Sequence, residues 1–379
     1  MKLIHLSDLH LGKRVNEFSM IEDQRDILCK ILDIIRREAP DCVILAGDIY
    51  DKAVPTAEAI ALFDDFLVRL AKLKQQVFVI SGNHDSPERI AFGSRLMDAS
   101  GIHMSPVYDG KVSPITLEDE FGPVHFYMLP FLKPMHVRRF YESRQIGTYT
   151  EALQVAVEQM AIDPSARNVL ITHQFVTGAS RSESEELSVG GSDNVDASVF
   201  SDFDYVALGH IHSPQNCGSP AIRYCGTPLK YSFSEAKDHK SVTVAELGKK
   251  GSLTVRTVLL EPLRDMRELK GTYESLTAPE FYTGTGWQED YIHITLTDEE
   301  DVVDAIGKLR KVYHNLMKLD YDNTRTRANP ELSGGVIREN LSPLQLFAEF
   351  YEQQNGAPMS QEQLVFLEEL VEKAKEAAN

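Results

Sequence analysis

The sequence predicts an α/β protein built as a two-sheet sandwich, followed by a small α/β unit and C-terminal helices. Three observations carry that reading. Short apolar runs alternate with stretches of helical period along residues 1–260, which is the pattern of strands feeding helices and helices feeding strands. The character changes after Glu261, where charged and mixed segments begin. Helix-start signals then recur in residues 341–379.

The strand runs come first: Lys2 to Ser7, Cys42 to Ala46, Val77 to Ser81, Asn168 to Ile171 and Tyr205 to Leu208. Between them, Ile21 to Glu38, Ala57 to Lys74 and Pro87 to Ser100 place apolar residues near a period of 3.6 and read as helices. Later runs, Val124 to Leu129, Ala221 to Cys225, Val242 to Glu246 and Thr254 to Leu259, add enough strands for a second sheet. Residues 261–322 read as a small α/β capping unit: Leu263 to Gly271 is charged, Tyr291 to Leu296 alternates as a short strand, and Glu299 to Leu319 reads as an amphipathic helix. Residues 323–340, with Asn, Arg, Gly, Ser and Pro330, read as a linker.

In the tail, Ser342-Pro343-Leu344-Gln345 and Ser360-Gln361-Glu362-Gln363 are capping-box patterns. Leu344, Phe347, Phe350 and Tyr351 make one apolar stripe, and Leu364, Leu367 and Val371 another. Two short helices cannot bury both stripes on each other, so they need a docking surface, on the chain's own body or in a partner's groove.

A chain of 379 residues exceeds one compact core, so two or three domains are expected. His5, Asp8 and His10 interrupt the apolar stretch that a signal peptide needs, and no run reaches membrane-spanning length; a cytoplasmic protein without membrane contact is expected. Cys29, Cys42, Cys217 and Cys225 form no paired motif and read as reduced, buried thiols. The net charge of −18 weighs against tight autonomous binding to nucleic acid, whose non-specific affinity comes from Lys and Arg. Local basic patches remain, at Lys133, Arg138, Arg139 and Arg144 and at Arg223, Lys230 and Lys237, each as readily a solvated surface run.

The chemistry lies in short phrases that close the strand runs: Asp8-Leu9-His10, Gly47-Asp48, Gly82-Asn83-His84-Asp85, Thr172-His173 and Gly209-His210-Ile211-His212. Ligands of open α/β sheets bind at the carboxyl ends of strands, so these phrases are expected to meet along one edge. In extended chain, residues i and i+2 point the same way, which makes pincers of Asp8 with His10 and of His210 with His212. Glycine before a ligand suits close backbone approach or unusual dihedrals. Carboxylates, imidazoles and one amide, without thiolate, suit Mn²⁺, Fe²⁺ or Zn²⁺ better than an all-oxygen Mg²⁺ or Ca²⁺ cage. Two such ions roughly 3.5 to 4 Å apart can lower the pKa of a shared water and clamp an in-line displacement at phosphorus. Any single phrase alone is weak, since a lone Gly-Asp is usually a turn. His5 falls on the opposite strand face from Asp8 and His10 and reads as packing, and Asp51 and Asp85 read as turn or supporting carboxylates.

Together these phrases resemble the calcineurin-like metallophosphoesterase family, whose D-x-H, G-D, G-N-H-[DE], H and G-H-x-H pattern is matched without a gap. The resemblance implies two packed sheets flanked by helices. It implies that Asp8, His10 and His212 hold one metal, that Asn83, His173 and His210 hold the other, and that Asp48 bridges both. His84 stays unliganded, facing the scissile phosphate as the catalytic imidazole.

The phrases Ser7-Asp8-Leu9-His10-Leu11-Gly12, Gly47-Asp48-Ile49-Tyr50-Asp51, Thr172 to Gly178 and Tyr224 to Leu229 further resemble the SbcD family of exonuclease subunits, bacterial relatives of the double-strand-break repair nuclease. That likeness implies two Mn²⁺ ions, 3′ to 5′ digestion of duplex DNA ends, and nicking of single strands or hairpins in DNA repair, recombination and replication. It also implies a homodimer through the helices near Ala57 to Lys74 and Pro87 to Ser100, and tail helices docking on an SbcC-type coiled-coil ATPase. Alternatives are a two-metal phosphodiesterase or phosphatase for small substrates, which suits the acidity, and a DNA-tethering protein whose metals only hold structure.

Overall fold

The computed structural model describes residues 1–180, 182, 193–300, 302–324 and 326, with scattered residues between 347 and 370. Two six-stranded sheets face each other. The first runs in the order Leu253–Leu259, Ser241–Leu247, Lys2–Leu6, Cys42–Ala46, Gln76–Ile80, Ile102–Met104. The last four are mutually parallel, and the first two close that edge as an antiparallel pair. The second sheet has the order Gln215–Cys217, Ser219–Tyr224, Tyr205–Gly209, Arg167–His173, Gly122–Leu129, Ile115–Asp119, with parallel central strands and antiparallel rims.

Strand alternation sorts the core into layers. Leu3, Ile44, Phe78 and Ile80 meet Val124, Phe126, Ile171 and Ala207 between the sheets, with the Phe78 and Phe126 rings stacked at 4.5 Å. The alternate residues Ile4, Leu6, Val43, Leu45, Val77 and Val79 turn outward. They pack on helices α1 (Ile21–Glu38) and α2 (Ala57–Lys72). Thr56 caps α2 by accepting the N–H of Ala59 at 3.3 Å. On the far side, Leu170, Val206 and Leu208 pack on the helix Tyr149–Glu158, giving the helix-flanked sandwich that the sequence predicts.

A separate three-stranded parallel sheet follows, in the order Met266–Gly271, Tyr291–Leu296, Asn315–Tyr321, with its own core around Ile292, Ile294, Leu309 and Tyr313. Two expectations fail. Pro87 to Ser100 is not one helix but the short helices Pro87–Ile90 and Ser94–Met97 and a 3-10 turn at Asp98–Ser100. Gly93, at φ 73°, interrupts it. Nor is Glu299 to Leu319 a helix: only Ala305–Leu309 is helical, and Asn315–Tyr321 becomes a strand because the middle strand needs a parallel partner to take its backbone groups. The helical spacing of its apolar residues lost to that pairing. The linker and most of the tail stripes lie outside the described residues.

All four cysteines are free thiols, three of them buried. Among the described residues no helix is long and apolar enough to cross a membrane.

Candidate metal centre

Five strands deliver the site. Asp8 and His10 follow Lys2–Leu6, Asp48 follows Cys42–Ala46, Asn83 and His84 follow Gln76–Ile80, His173 ends Arg167–His173, and His210 and His212 follow Tyr205–Gly209. All eight sequence-predicted residues come together.

The extended-chain pincers are not how they do so. Asp8, His10, Asp48 and His210 have φ of 53°, 44°, 48° and 101°, so the chain leaves three of these strands, Lys2–Leu6, Cys42–Ala46 and Tyr205–Gly209, through left-handed backbone. Such conformations cost of order 1–3 kcal/mol each and persist only where the surroundings over-determine them. Asp8 and His10 still meet, whereas His210 and His212 diverge to different groups. Leu9 and Ile211 turn into the core as expected.

Close approach explains the glycines. A Cβ on Gly82 would overlap the Asp48 carboxylate, and one on Gly209 would overlap the Ala46 carbonyl. The backbone N–H of His210 donates to both Asp8 oxygens at 3.0 and 3.1 Å, and that of His84 to Asp48 Oδ1 at 2.9 Å.

Donor atoms converge in overlapping groups: Asp8 with His10 and His212, His10 with Asp48 and His84, and Asp8 with Asp48 and His173. His10 Nε2 faces His212 Nε2 at 3.2 Å and Asp48 Oδ2 at 3.7 Å. On the other side Asn83 Oδ1 lies 3.0 Å from His173 Nε2 and 2.9 Å from His210 Nδ1. His173 Nε2 is also 3.4 Å from Asp48 Oδ2, so Asp48 touches both sides.

This donor set fits a divalent cation. Two imidazole nitrogens face each other in a buried space, and His10 Nδ1 has no hydrogen-bond partner among the described residues. His173 Nδ1 donates to the Ala46 carbonyl at 2.8 Å, so in the neutral ring the lone pair falls on Nε2, which is aimed inward. The electrostatics agree. Burial pushes the Asp8 carboxyl up and the His10 imidazole well down. Burial also opposes charge on His173 and Asp48, yet their mutual attraction wins, holding Asp48 well below the carboxylate range and His173 up at about 9.

His84 is partly exposed. Its Nδ1 donates to the Asp51 carbonyl at 3.0 Å, and its Nε2 points inward, 3.9 Å from Asp48 Oδ2.

Asp85 supports the site as expected, accepting backbone N–H groups from Gly82, Ile49 and Tyr50 at 2.9, 3.0 and 2.9 Å. His5 is packing: buried, with Nδ1 at 2.9 Å from the Tyr205 hydroxyl. Asp51 lies 3.8 Å from His10 Nδ1 and pairs with Lys13 at 2.8 Å.

Sequence reasoning missed Glu235. It is fully buried, 3.7 Å from His212 Nδ1 and 2.5 Å from Lys240 Nζ. Burial raises its carboxyl, but His212 and Lys240 lower it further, to about 2, so it stays ionised and orients the imidazole. Its phrase, Ser232 to Glu235, reads as an ordinary capping pattern and carries no signal of this role.

The basic patches are largely spoken for. Arg138 donates to the Ile146 carbonyl, Arg139 to the Tyr108 carbonyl, and Arg144 pairs with Glu158. Arg223 reaches Thr243 and Asn216, and Lys230 pairs with Asp265. Lys237 is exposed.

The chain matches known protein families. Residues 1–214 match the family described as calcineurin-like phosphoesterase, and residues 262–355 match the one described as type 5 capsule protein repressor C-terminal domain. The chain is similar to the SbcD component of the nuclease SbcCD from Staphylococcus epidermidis, 34% identical over 339 residues, covering 88% of this chain and 89% of that one. It is 34% identical over 323 residues to the SbcD component of the same nuclease from Staphylococcus saprophyticus, covering 84% of each. Among solved structures, a dimetal phosphatase from Danio rerio aligns over 69% of this chain and 98% of its own with TM-score 0.43 and 14% identity, too remote to carry weight.

Proposed function

This chain belongs to the calcineurin-like phosphoesterase family, as a nuclease of the SbcD type, and from that premise we propose that it is a manganese-dependent DNA nuclease with a two-metal mechanism. Its substrates are duplex ends, digested 3′ to 5′, and single strands and hairpins, cut internally, in DNA repair, recombination and replication. Asp8, His10 and His212 would hold one ion and Asn83, His173 and His210 the other, with Asp48 placed to serve both. The observation that carries this reading is Asp48, whose carboxylate belongs to donor groups on both sides of the site.

Two divalent cations held there would supply Lewis acidity, an activated water and a clamp for the attacking and leaving oxygens. The chain's own residues do the rest. Asp85 and the left-handed turns hold the donors in place before substrate arrives, so little reorganisation is left for the reaction itself. His84 is the catalytic imidazole. Because Nδ1 donates to the Asp51 carbonyl, only Nε2 faces the site, and in the protonated ring it carries a proton that passes to the departing oxygen as the phosphorus–oxygen bond breaks. Imidazole and amide ligands beside carboxylates favour Mn²⁺ over Mg²⁺.

The partners we propose are DNA, an SbcC-type coiled-coil ATPase bound by the tail helices of residues 341–379, and a second copy of this chain. The net charge of −18 supports a partner that supplies basic surface. Exposed Val54, Ile60, Val68, Phe92 and Leu96 on and beside α2 and the Pro87–Met97 turns support the homodimer. The three-stranded sheet acts as the capping unit, and the compartment is the cytoplasm.

The test is purified protein with Mn²⁺ on end-labelled hairpin and blunt duplex DNA beside an aryl phosphate monoester. DNA cleavage dependent on Mn²⁺ is expected; cleavage of the monoester alone would overturn the reading.

A further inference from the structure

We infer that Gln24, on the first turn of α1, is a positioning residue of the metal centre: it fixes the left-handed loop Asp8–Gly12 that presents Asp8 and His10. This inference rests on the metal reading above. Asp8, His10 and Gly12 have φ of 53°, 44° and 87°, so the loop needs holding from outside. One side is held by the next strand's exit, where the N–H groups of Asp8, His10 and Leu11 donate to Gly47, Asp48 and Ile49 carbonyls at 3.0, 3.0 and 2.9 Å.

Gln24 takes the other side. Its side chain is buried, its Nε2 donates to the His10 carbonyl at 2.8 Å and to the Tyr231 hydroxyl at 3.0 Å, and its Oε1 accepts the Gly12 N–H at 2.9 Å. A backbone N–H can only donate and a carbonyl can only accept, so the orientation of the amide is fixed. The Tyr231 hydroxyl in turn donates to the Leu9 carbonyl at 2.6 Å, and its ring lies edge-on to His10 and His212. Every polar group of the Gln24 side chain is thus committed to the loop or to Tyr231.

The helix turn that carries Gln24 is itself anchored. The adjacent Asp23, fully buried, accepts from Arg264 Nη1 and from the Tyr291 hydroxyl, each at 2.7 Å, and so ties the start of α1 to the three-stranded sheet. Gln24 touches the ligands only through their backbone, and the Tyr231 hydroxyl likewise reaches backbone, at Leu9, while the Tyr231 ring also packs against His10 and His212. Partners of this kind typically contribute 10–100-fold to metal affinity.

The experiment titrates Mn²⁺ alone into wild type, Gln24→Leu and Tyr231→Phe, read by electron paramagnetic resonance, with nuclease kinetics alongside. Gln24→Leu is expected to bind Mn²⁺ about tenfold more weakly, to lose intensity in the exchange-coupled pair signal, and to lower kcat about tenfold while KM for DNA stays within about twofold. Tyr231→Phe, which keeps the ring, moves the same quantities about threefold. If Gln24→Leu does not fold, Tyr231→Phe decides by the same readouts. Folded variants that bind two Mn²⁺ with wild-type affinity and an unchanged coupled signal overturn the inference. A wild type that fails to bind a coupled pair overturns instead the metal reading beneath it.

Discussion

The two ends of the sandwich bury charge in opposite ways. At the end where the strands begin, Asp119 is bound by Arg167 through contacts of 3.0 and 2.5 Å and by the Met1 ammonium at 2.7 Å. Arg167 also donates to the Gly122 and Gly248 carbonyls. Opposite charges are matched within the protein. At the end where the parallel strands finish, two carboxylates and several imidazoles share a buried space, and the backbone is left-handed at four of the donors. The difference teaches which end stabilises the fold and which is arranged around something from outside: one pairs its opposite charges internally, the other gathers donors that a divalent cation would complete.

That comparison can be broken by substitution. Asp48→Ala removes the shared carboxylate, and Mn²⁺-dependent cleavage should fall on the order of 10³-fold or more with loss of bound metal in elemental analysis. Full activity would mean that the end is not completed by a shared pair of ions. His84→Ala should keep the metal and lose about 10²-fold in kcat, because the proton donor is gone while the donors stay. A variant with unchanged turnover removes His84 from the mechanism.

Stability sharpens the contrast. Mn²⁺ at about 100 times its dissociation constant should stabilise wild type by about 2.7 kcal/mol for each ion bound, in thermal or urea unfolding. Asp119→Asn should leave that increment intact, since it sits at the other end; a lost increment would show that the two ends are not independent.

The smallest effect concerns pH. Arg167, and then the N-terminus, hold the Asp119 carboxyl well below its ordinary range. A depressed carboxyl contributes stability that is present above its unfolded pKa of about 3.9 and lost as pH falls through the folded value. Asp119→Asn should therefore cost about 2 kcal/mol at pH 7, and its deficit against wild type should shrink below about pH 4. A deficit that stays constant with pH would assign the cost to shape rather than charge.

The same contrast explains what was legible in the sequence. The proposed ligands could be read because Asp8, Asp48, Asn83, His173 and His212 stand in short phrases at strand ends, where a dense mix of metal-binding types has few other reasons to occur. Their supports could not. Gln24 lies inside an ordinary amphipathic helix, Glu235 in a capping-like Ser-x-x-Glu, and each acts only because the fold brings a distant loop against it. The main sandwich was legible because its strands are apolar and short. The C-terminal sheet was less so: Met266–Gly271 is a strand in which the charged residues Arg267, Glu268 and Lys270 break the apolar run, and Asn315–Tyr321 carries apolar residues at helical spacing, so pairing across the sheet decided both.

Anomalous diffraction at the manganese edge, on crystals soaked in Mn²⁺, tests the central claim most directly. Two peaks about 3.5 to 4 Å apart are expected, with the Asp48 carboxylate between them. A single peak, or two that share no carboxylate, would contradict the account.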